Sequence, residues 1–386
     1  MAQISGMRST QGTQGIAQFR RVVSMWEAIL LLQPSANPIV NIITRLDRES
    51  VDNYKFDVQK DDLVAYQANT STSYSNSATS IVLGAGEAGY FQAGDLAYVP
   101  ETDEIIFVGA SDGSTTISSL TRGFGDSTAA AISSGAQVLN IGDSNLDGAD
   151  VGSGVSTVVT TDFNYTQIYR TPWEIDGTLA AQKLYGGSDM DYQARKRAIE
   201  HQRKMELSCL LGTRSNTTSG ASGRRTTGGI HEHLTQHVLD VSGNLTSLEL
   251  MSLIRDVTRF GDSDHRVMIA SREVLDAIGL LAGGLEYVPG DKTIGIAANR
   301  FQSANGVLDI VPHPILSDND FLKQRGYIID FTQYGWRFLQ GRDTMLRTNV
   351  QNPGVDGRKD EYLTEGGVWR GRQETSGLLK GVTLPV

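Results

Sequence analysis

With 386 residues the chain is long enough for two or three hydrophobic cores, so more than one domain is expected. A formal net charge of −10 argues against a surface devoted to nucleic acid, and the single cysteine, Cys209, rules out an internal disulfide and suits a reducing cytoplasm. The opening MAQISGMRSTQGTQGIAQF has no apolar signal region, and the longest aliphatic run near it, residues 28–32, is far too short to span a bilayer.

In chain order, the first 23 residues are polar and rich in Gly, Gln and Ser, with Arg8, Arg20 and Arg21 as the charges. Ile16 and Phe19 are the main apolar exceptions, so the segment reads as an arm that only a partner can order. A short helix is expected over residues 24–32, stopped by Pro34 and then Pro38. Residues 54–162 alternate β-favouring runs (DLAYV, EIIFV, TTISSL) with Gly, Ser, Asp and Asn, and carboxylates greatly outnumber bases there. This is read as a long β excursion containing a small barrel or sandwich.

Three motifs inside that excursion suggest chemistry. Gly84, Gly86 and Gly89 form G-x-G-x-x-G after an apolar run, but the residues that follow make a poor first helical turn for holding a dinucleotide. No cofactor is therefore expected, only a glycine-rich loop between strands. Ser111 stands in G-x-S-x-G, yet the chain continues into a β run rather than the helix a nucleophile elbow needs. Asp143, Asn145 and Asp147 match the first half of a calcium loop, but Gly154 occupies the twelfth position, where a bidentate Glu belongs. A solvated acidic turn is one reading there and a weak calcium site the other.

NYTQIYRTPWEIDGT, residues 164–178, alternates like a strand interrupted at Pro172. The strongest helix follows, from an N-cap at Ser188 to a C-cap at Gly212, with a thin apolar stripe of Met190, Ala194, Ala198, Met205 and Cys209. Its bases, Arg195-Lys196-Arg197 and Arg203-Lys204, interleave with Glu200 and Glu206, and Glu200 to Lys204 is a favourable i,i+4 pair. These are read as a solvated helix face or a weakly basic patch for nucleic acid. Residues 213–229 read as a flexible loop. His231, His233 and His237 come next, the last two at the spacing of metal ligands on one helix face, but Leu234 stands where HExxH needs Glu and no third ligand is in evidence. No metal site and no catalytic residue is therefore assigned. From residue 245 the pattern is α/β: a capping box at Thr246 and Glu249 with a Leu245–Leu250 staple, a buried stripe of Leu250, Leu253, Ile254 and Val257, the strand RVMIAS, and a helix behind Ser271. VLDIVPHPIL, YIIDF, WRFLQ and the terminal WRGRQETSGLLKGV read as strands.

The order of these parts resembles the major capsid proteins of tailed bacteriophages with the Hong Kong 97 capsid fold, in a subgroup with an inserted β domain. The residues that carry the resemblance are ILLLQPSANPIVNIITRL leading into NYKFDVQKDDL, then NYTQIYRTPWEIDGT before a DYQ-type helix, GRRTTGGI, NGVLDIVPHPIL and SGLLKGV. The resemblance implies an α+β fold divided into an N-terminal arm and short helix (residues 1–53), an extended loop with the inserted β domain (54–163), a peripheral domain with the spine helix 189–211 (164–240), an axial domain (241–326) and peripheral return strands (327–386). It implies a non-enzymatic subunit, made in the host cytoplasm, that assembles with itself as hexamers and pentamers into an icosahedral shell of the virion. Scaffold, portal and decoration proteins, and packaged double-stranded DNA met non-specifically at the inner face, would be its other partners. Ile16 and Phe19 are then expected to anchor the arm in an adjacent subunit, with Arg20 and Arg21 meeting carboxylates there. The competing readings are a β-rich fibre or surface adhesin, disfavoured by the long helix and the α/β unit, and an intracellular hydrolase using Ser111 or the histidines.

Overall fold

The computed structural model describes residues 38–148, 154–182, 188–219, 222–261, 263–282, 286–288, 298–303 and 305–384. Ile16, Phe19, Arg20, Arg21 and the helix expected over residues 24–32 lie outside the described residues. The chain divides into two units, Gln59–Thr161 and the residues on either side of it, up to Val58 and from Asp162 onward. The strands Lys55–Lys60 and Thr160–Tyr165, which lead out to the first and back from it, pair as a two-stranded ribbon.

The flanking unit opens with a helix at Pro38–Leu46 that the sequence reading did not foresee. Pro38, expected as a stop, instead opens the helix, because a proline at a helix start forfeits no intrahelical bond and brings a suitable φ. Ile39, Val40, Ile42 and Ile43 of this helix are buried, on the spacing of one helical face. A five-stranded sheet follows, ordered Arg48–Val51, Tyr334–Leu339, Gly357–Arg370 and Gln167–Asp176, with Met345–Arg347 also paired to the third of these. Gln167–Asp176 runs unbroken through Pro172, contrary to expectation, and its Tyr169, Thr171, Trp173 and Ile175 are buried while the residues between them are not. It is an edge strand, where a missing N–H removes no ladder bond.

The long helix spans Asp189–Leu211 and ends at Gly212, as its caps predict, although the Ser188 side chain makes no capping bond. It packs on the edge strand and on helix Pro38–Leu46. The described residues between 213 and 229 depart from the expected loose loop. Ser215–Ser219 and Ser222–Thr226 pair as an antiparallel hairpin, whose Arg225 is tied down at Glu365 (2.9 Å) and lies over the Tyr54 ring. Composition suggested flexibility because Thr and Ser serve both loops and strands.

A seven-stranded sheet is ordered His237–Gly243, Gly377–Val382, Gly326–Ile329, His265–Ala270, Gly306–Pro312, Ala298–Ser303 and Glu286–Val288. Helices Ser247–Thr258 and Arg272–Ala282 bury Leu250, Leu253, Ile254, Val257, Val274 and Ile278 in one apolar cluster with Met268, Ile310 and Leu379 from this sheet. The capping box forms as expected, with Thr246 and Glu249 bonded reciprocally. After Pro312 the expected strand gives way to a helical turn, Pro314–Ser317, again opened by a proline.

Gln59–Thr161 holds a four-stranded sheet (Gln67–Asn69, Gln137–Asp143, Asp95–Val99, Glu104–Phe107) and a three-stranded one (Ser80–Val82, Thr116–Ser118, Ala110–Ser111). Both contribute to one core, including Ile81, Phe91, Val99, Ile106, Ile117 and Val138. That is a small sandwich.

Candidate functional site

The motifs with enzymatic overtones resolve into structural roles. After strand Ser80–Val82 the glycines enter a single 3-10 turn, Glu87–Tyr90, with Gly86 at φ +82, a conformation that favours glycine. The Glu87 carboxylate accepts from Asn69 N (2.6 Å) and Gly84 N (3.2 Å), so an acidic side chain already takes the amide a phosphate would seek. Ser111 Oγ donates to the Ala88 carbonyl (2.6 Å). Asp112 beside it caps the amides of Ser114, Thr115 and Thr116 at 2.7–2.9 Å, and those bonds hold its carboxyl below the usual range. This is turn chemistry.

Asn145 directs its amide at Asp143 Oδ2 (2.6 Å), a donor where a cation would require acceptors. Among the described residues no group of three His, Cys, Asp or Glu is placed to hold a metal. The histidines part company. His233 ends the four-residue helix Ile230–His233, with Nδ1 3.1 Å from the Tyr334 hydroxyl, while His237 opens a strand and stacks on Phe260. They share no helix face. His231 is half-buried against Tyr327, and burial, then Arg325 and Lys380, lower its pKa.

The unusual chemistry of the molecule lies instead in buried charges that sequence reasoning left unassigned. Glu206 was placed on the solvated face of the long helix, but it is 0% exposed. It accepts from Ile39 N (2.9 Å) and Val40 N (2.8 Å), and His313 Nε2 stands 2.9 Å from Oε1. The signal available was its spacing: Glu206 precedes the buried Cys209 and Leu210 by three and four residues, which puts it on their face. One turn back, His201 bridges the hydroxyls of Thr171 (3.0 Å) and Thr364 (2.8 Å), joining the helix to two strands. Burial, and then the Lys204 charge, hold its imidazole down at about 4, so it is neutral at pH 7. The expected Glu200–Lys204 pair does not form. Glu200 pairs with Arg197, and Lys204 bonds to Thr171 Oγ1 (3.1 Å) instead.

Strand Gly357–Arg370 carries a second set. Asp360, Glu361 and Glu365 are each 2% exposed. Arg170 grips Glu361 through two bonds, 2.8 and 2.9 Å, with Arg347 at 3.5 Å. Glu365 is held by Arg225 and Arg342, and Asp360 by Arg358 (2.9 Å). The carboxylates are buried while Arg170, Arg347, Arg342 and Arg358 stay partly exposed to water, so a lost arginine would strand a buried carboxylate whereas a lost carboxylate would leave the arginine solvated. Such pairs set position and register, and they contain no nucleophile with its base.

The family model for the SU10 major capsid protein matches residues 6–383. A search of the curated proteins finds no match. Among solved structures, the capsid of the native GTA particle is 10% identical over 98% of this chain and 100% of that chain, with a TM-score of 0.52. The capsid of the empty GTA particle is 9% identical over the same shares, with a TM-score of 0.53. The capsid asymmetric unit of cyanophage A-1(L) is 6% identical over 95% of this chain and 99% of that chain, with a TM-score of 0.51. At these identities the likeness is one of fold, a mixed α/β fold shared with phage capsids. With that fold, and with a family match running from residue 6 to residue 383, the chain belongs to the SU10 major capsid proteins, the subunits that build a phage head shell.

Proposed function

We propose that this head-shell subunit works with a division of labour of the Hong Kong 97 kind. Residues 54–163 are its extended loop with an inserted β domain, helix Asp189–Leu211 its spine, residues 241–326 its axial domain, and residues 164–240 with 327–386 its peripheral domain. Residues 1–53 are the arm and its root. Subunits gather as hexamers and pentamers into an icosahedral shell, made in the host cytoplasm with scaffold and portal proteins. The observation that carries this reading is the sandwich Gln59–Thr161, a separately cored unit reached through a paired ribbon. The chain's work is then structural, since repeated copies of a weak contact hold a closed shell without any pocket chemistry. The exposed Arg195 and Arg203 of the spine offer packaged DNA a sequence-independent contact.

The arm supplies the test. Residues 1–23 offer little apolar surface to a subunit core, so deleting them should leave the melting temperature nearly unchanged. Shell formation, seen by electron microscopy, should fail, because each copy loses the strap anchored by Ile16 and Phe19. A truncated chain that builds normal shells would refute the strap, and one that melts many degrees lower would place the arm in its own subunit's core.

A further inference from the structure

The turn that follows helix Pro314–Ser317 holds Phe321 80% exposed. Its backbone is well fastened. Asn319 Oδ1 accepts from Phe321 N (3.0 Å) and Leu322 N (3.3 Å), the Asn319 carbonyl accepts from Lys323 N (2.9 Å), and Leu322 packs on the apolar cluster that includes Leu316. An aromatic ring fixed in water in this way offers a partner a large contact area at little entropic cost. Elsewhere in the same unit, a cleft of about 460 Å³ lies between strand Gln167–Asp176 and the opening half of helix Asp189–Leu211. Pro172, Trp173, Ile175 and, from the short helix Gly177–Ala181, Leu179 give it apolar walls. No residue of the long helix before His201 is buried, so the helix does not fill the cleft with its own side chains. The volume falls within the range of small-ligand pockets, roughly 300–1,000 Å³, and admits a phenyl ring.

We propose that Phe321 of one copy of this chain seats in that cleft on the next copy. Charge favours the pairing. Along the cleft, and the smaller hollow that adjoins it at Ile175 and Leu179, Arg197, Arg358 and Lys359 outnumber Glu174 and Asp189. On the turn, Asp318 and Asp320 outnumber Lys323. Donors are also in surplus on the cleft side, where Trp173 Nε1 and Arg197 Nε are buried without a hydrogen-bond partner, while the carboxylates of the turn are acceptors. A further cleft, beside Arg255 and Arg259, has no apolar residue in its wall, so a phenyl ring gains little there. Ring and cleft are different surfaces, so the contact is heterologous: each copy gives Phe321 to one neighbour and receives it from another. Where the rotation closes, such a contact makes a ring of copies. Its place in a capsomer rests on the head-shell reading above.

A disulfide between copies tests the seating, in the full-length chain carrying Phe321→Cys together with Leu179→Cys. Cys209 is buried and does not compete. After oxidation of the assembled protein, denaturing gels without reductant should show covalent dimers and a ladder of larger species, and either single variant should run as a monomer. Phe321→Asp should leave the melting temperature unchanged, because the ring is in water, and should raise the concentration needed for assembly by roughly tenfold or more. A paired variant without the ladder would overturn the seating, and so would Phe321→Asp shells forming at the wild-type concentration. The two readings fail separately. Wild-type shells with no ladder refute this contact alone, whereas a wild-type chain that never assembles refutes the head-shell reading and the contact with it. Should the paired variant fail to fold, Phe321→Asp still decides.

Discussion

The sandwich Gln59–Thr161 is cored by Ile81, Phe91, Val99, Ile106 and Ile117, with Glu104 as its buried charge, neutralised by Arg122. The unit on either side of it also has apolar clusters, but it buries His201, Glu206, Arg266, His313, Asp360, Glu361, Glu365 and Arg370 as well. All six histidines of the chain lie in that second unit. Apolar burial is non-directional and serves to close a core among strands near in sequence. Hydrogen-bonded charges are directional, and here they fasten distant segments: Glu206 lies 167 and 166 positions from the amides it caps. The sandwich is built to be a self-contained body. The flanking unit is built to hold its strands, the long helix Asp189–Leu211 and helix Pro38–Leu46 in one register.

The sharpest way to break this contrast is within the sandwich. Glu104→Ala leaves Arg122 buried at 6% exposure without its charge partner, and removes the acceptor of Gly123 N and Ala130 N. A loss of roughly 3–5 kcal/mol is expected, confined in calorimetry to the sandwich's transition. A matching fall in the melting of the flanking unit would show that the two are not separately cored.

A smaller effect should distinguish the units by acid. The imidazole of His201 sits at about 4, below its unfolded value near ~6.5, so the unfolded chain binds the proton first as pH falls. The stability this group contributes is present above ~6.5 and is lost, up to about 3 kcal/mol, as pH falls toward 4. In the sandwich, burial alone would raise the Glu104 pKa, but Arg122 and the Gly123 and Ala130 amides outweigh it and the net shift is downward. Its contribution is therefore lost only below the ordinary carboxyl value of ~4.3. Between those limits the flanking unit should weaken while the sandwich holds, and His201→Gln should flatten the difference. Equal acid sensitivity of the two transitions would count against the contrast.

The smallest effect concerns local structure. Thr246→Ala removes one half of the capping box of helix Ser247–Thr258, an exposed cap, and should cost about 1 kcal/mol. A loss several times larger would mean the cap is coupled to the buried network.

What sequence revealed follows the same division. The long helix, the capping box and the β character of the excursion, read as a small barrel or sandwich, were legible because caps, glycines and apolar spacing are local signals. The buried faces of Leu250, Leu253, Ile254 and Val257 followed from periodicity alone. Helix Pro38–Leu46 was missed because a proline that stops one helix can also start another, and Pro172 misled because edge position is a property of the sheet. Glu206 and His313 were invisible as a pair, since 107 positions separate them and a glutamate among bases looks solvated. The hairpin at Ser215–Thr226 was read as loose because its anchors, Glu365 and Tyr54, lie far off in sequence.

The central claim is that this chain, with its sandwich and its charge-registered body, is a subunit of a closed shell. Electron microscopy of the purified full-length protein, expressed alone and with its scaffold, tests that directly. The account predicts hexamers, pentamers or closed icosahedral shells. A protein that stays strictly monomeric in those images, and in light scattering across a wide range of concentration and salt, would contradict it.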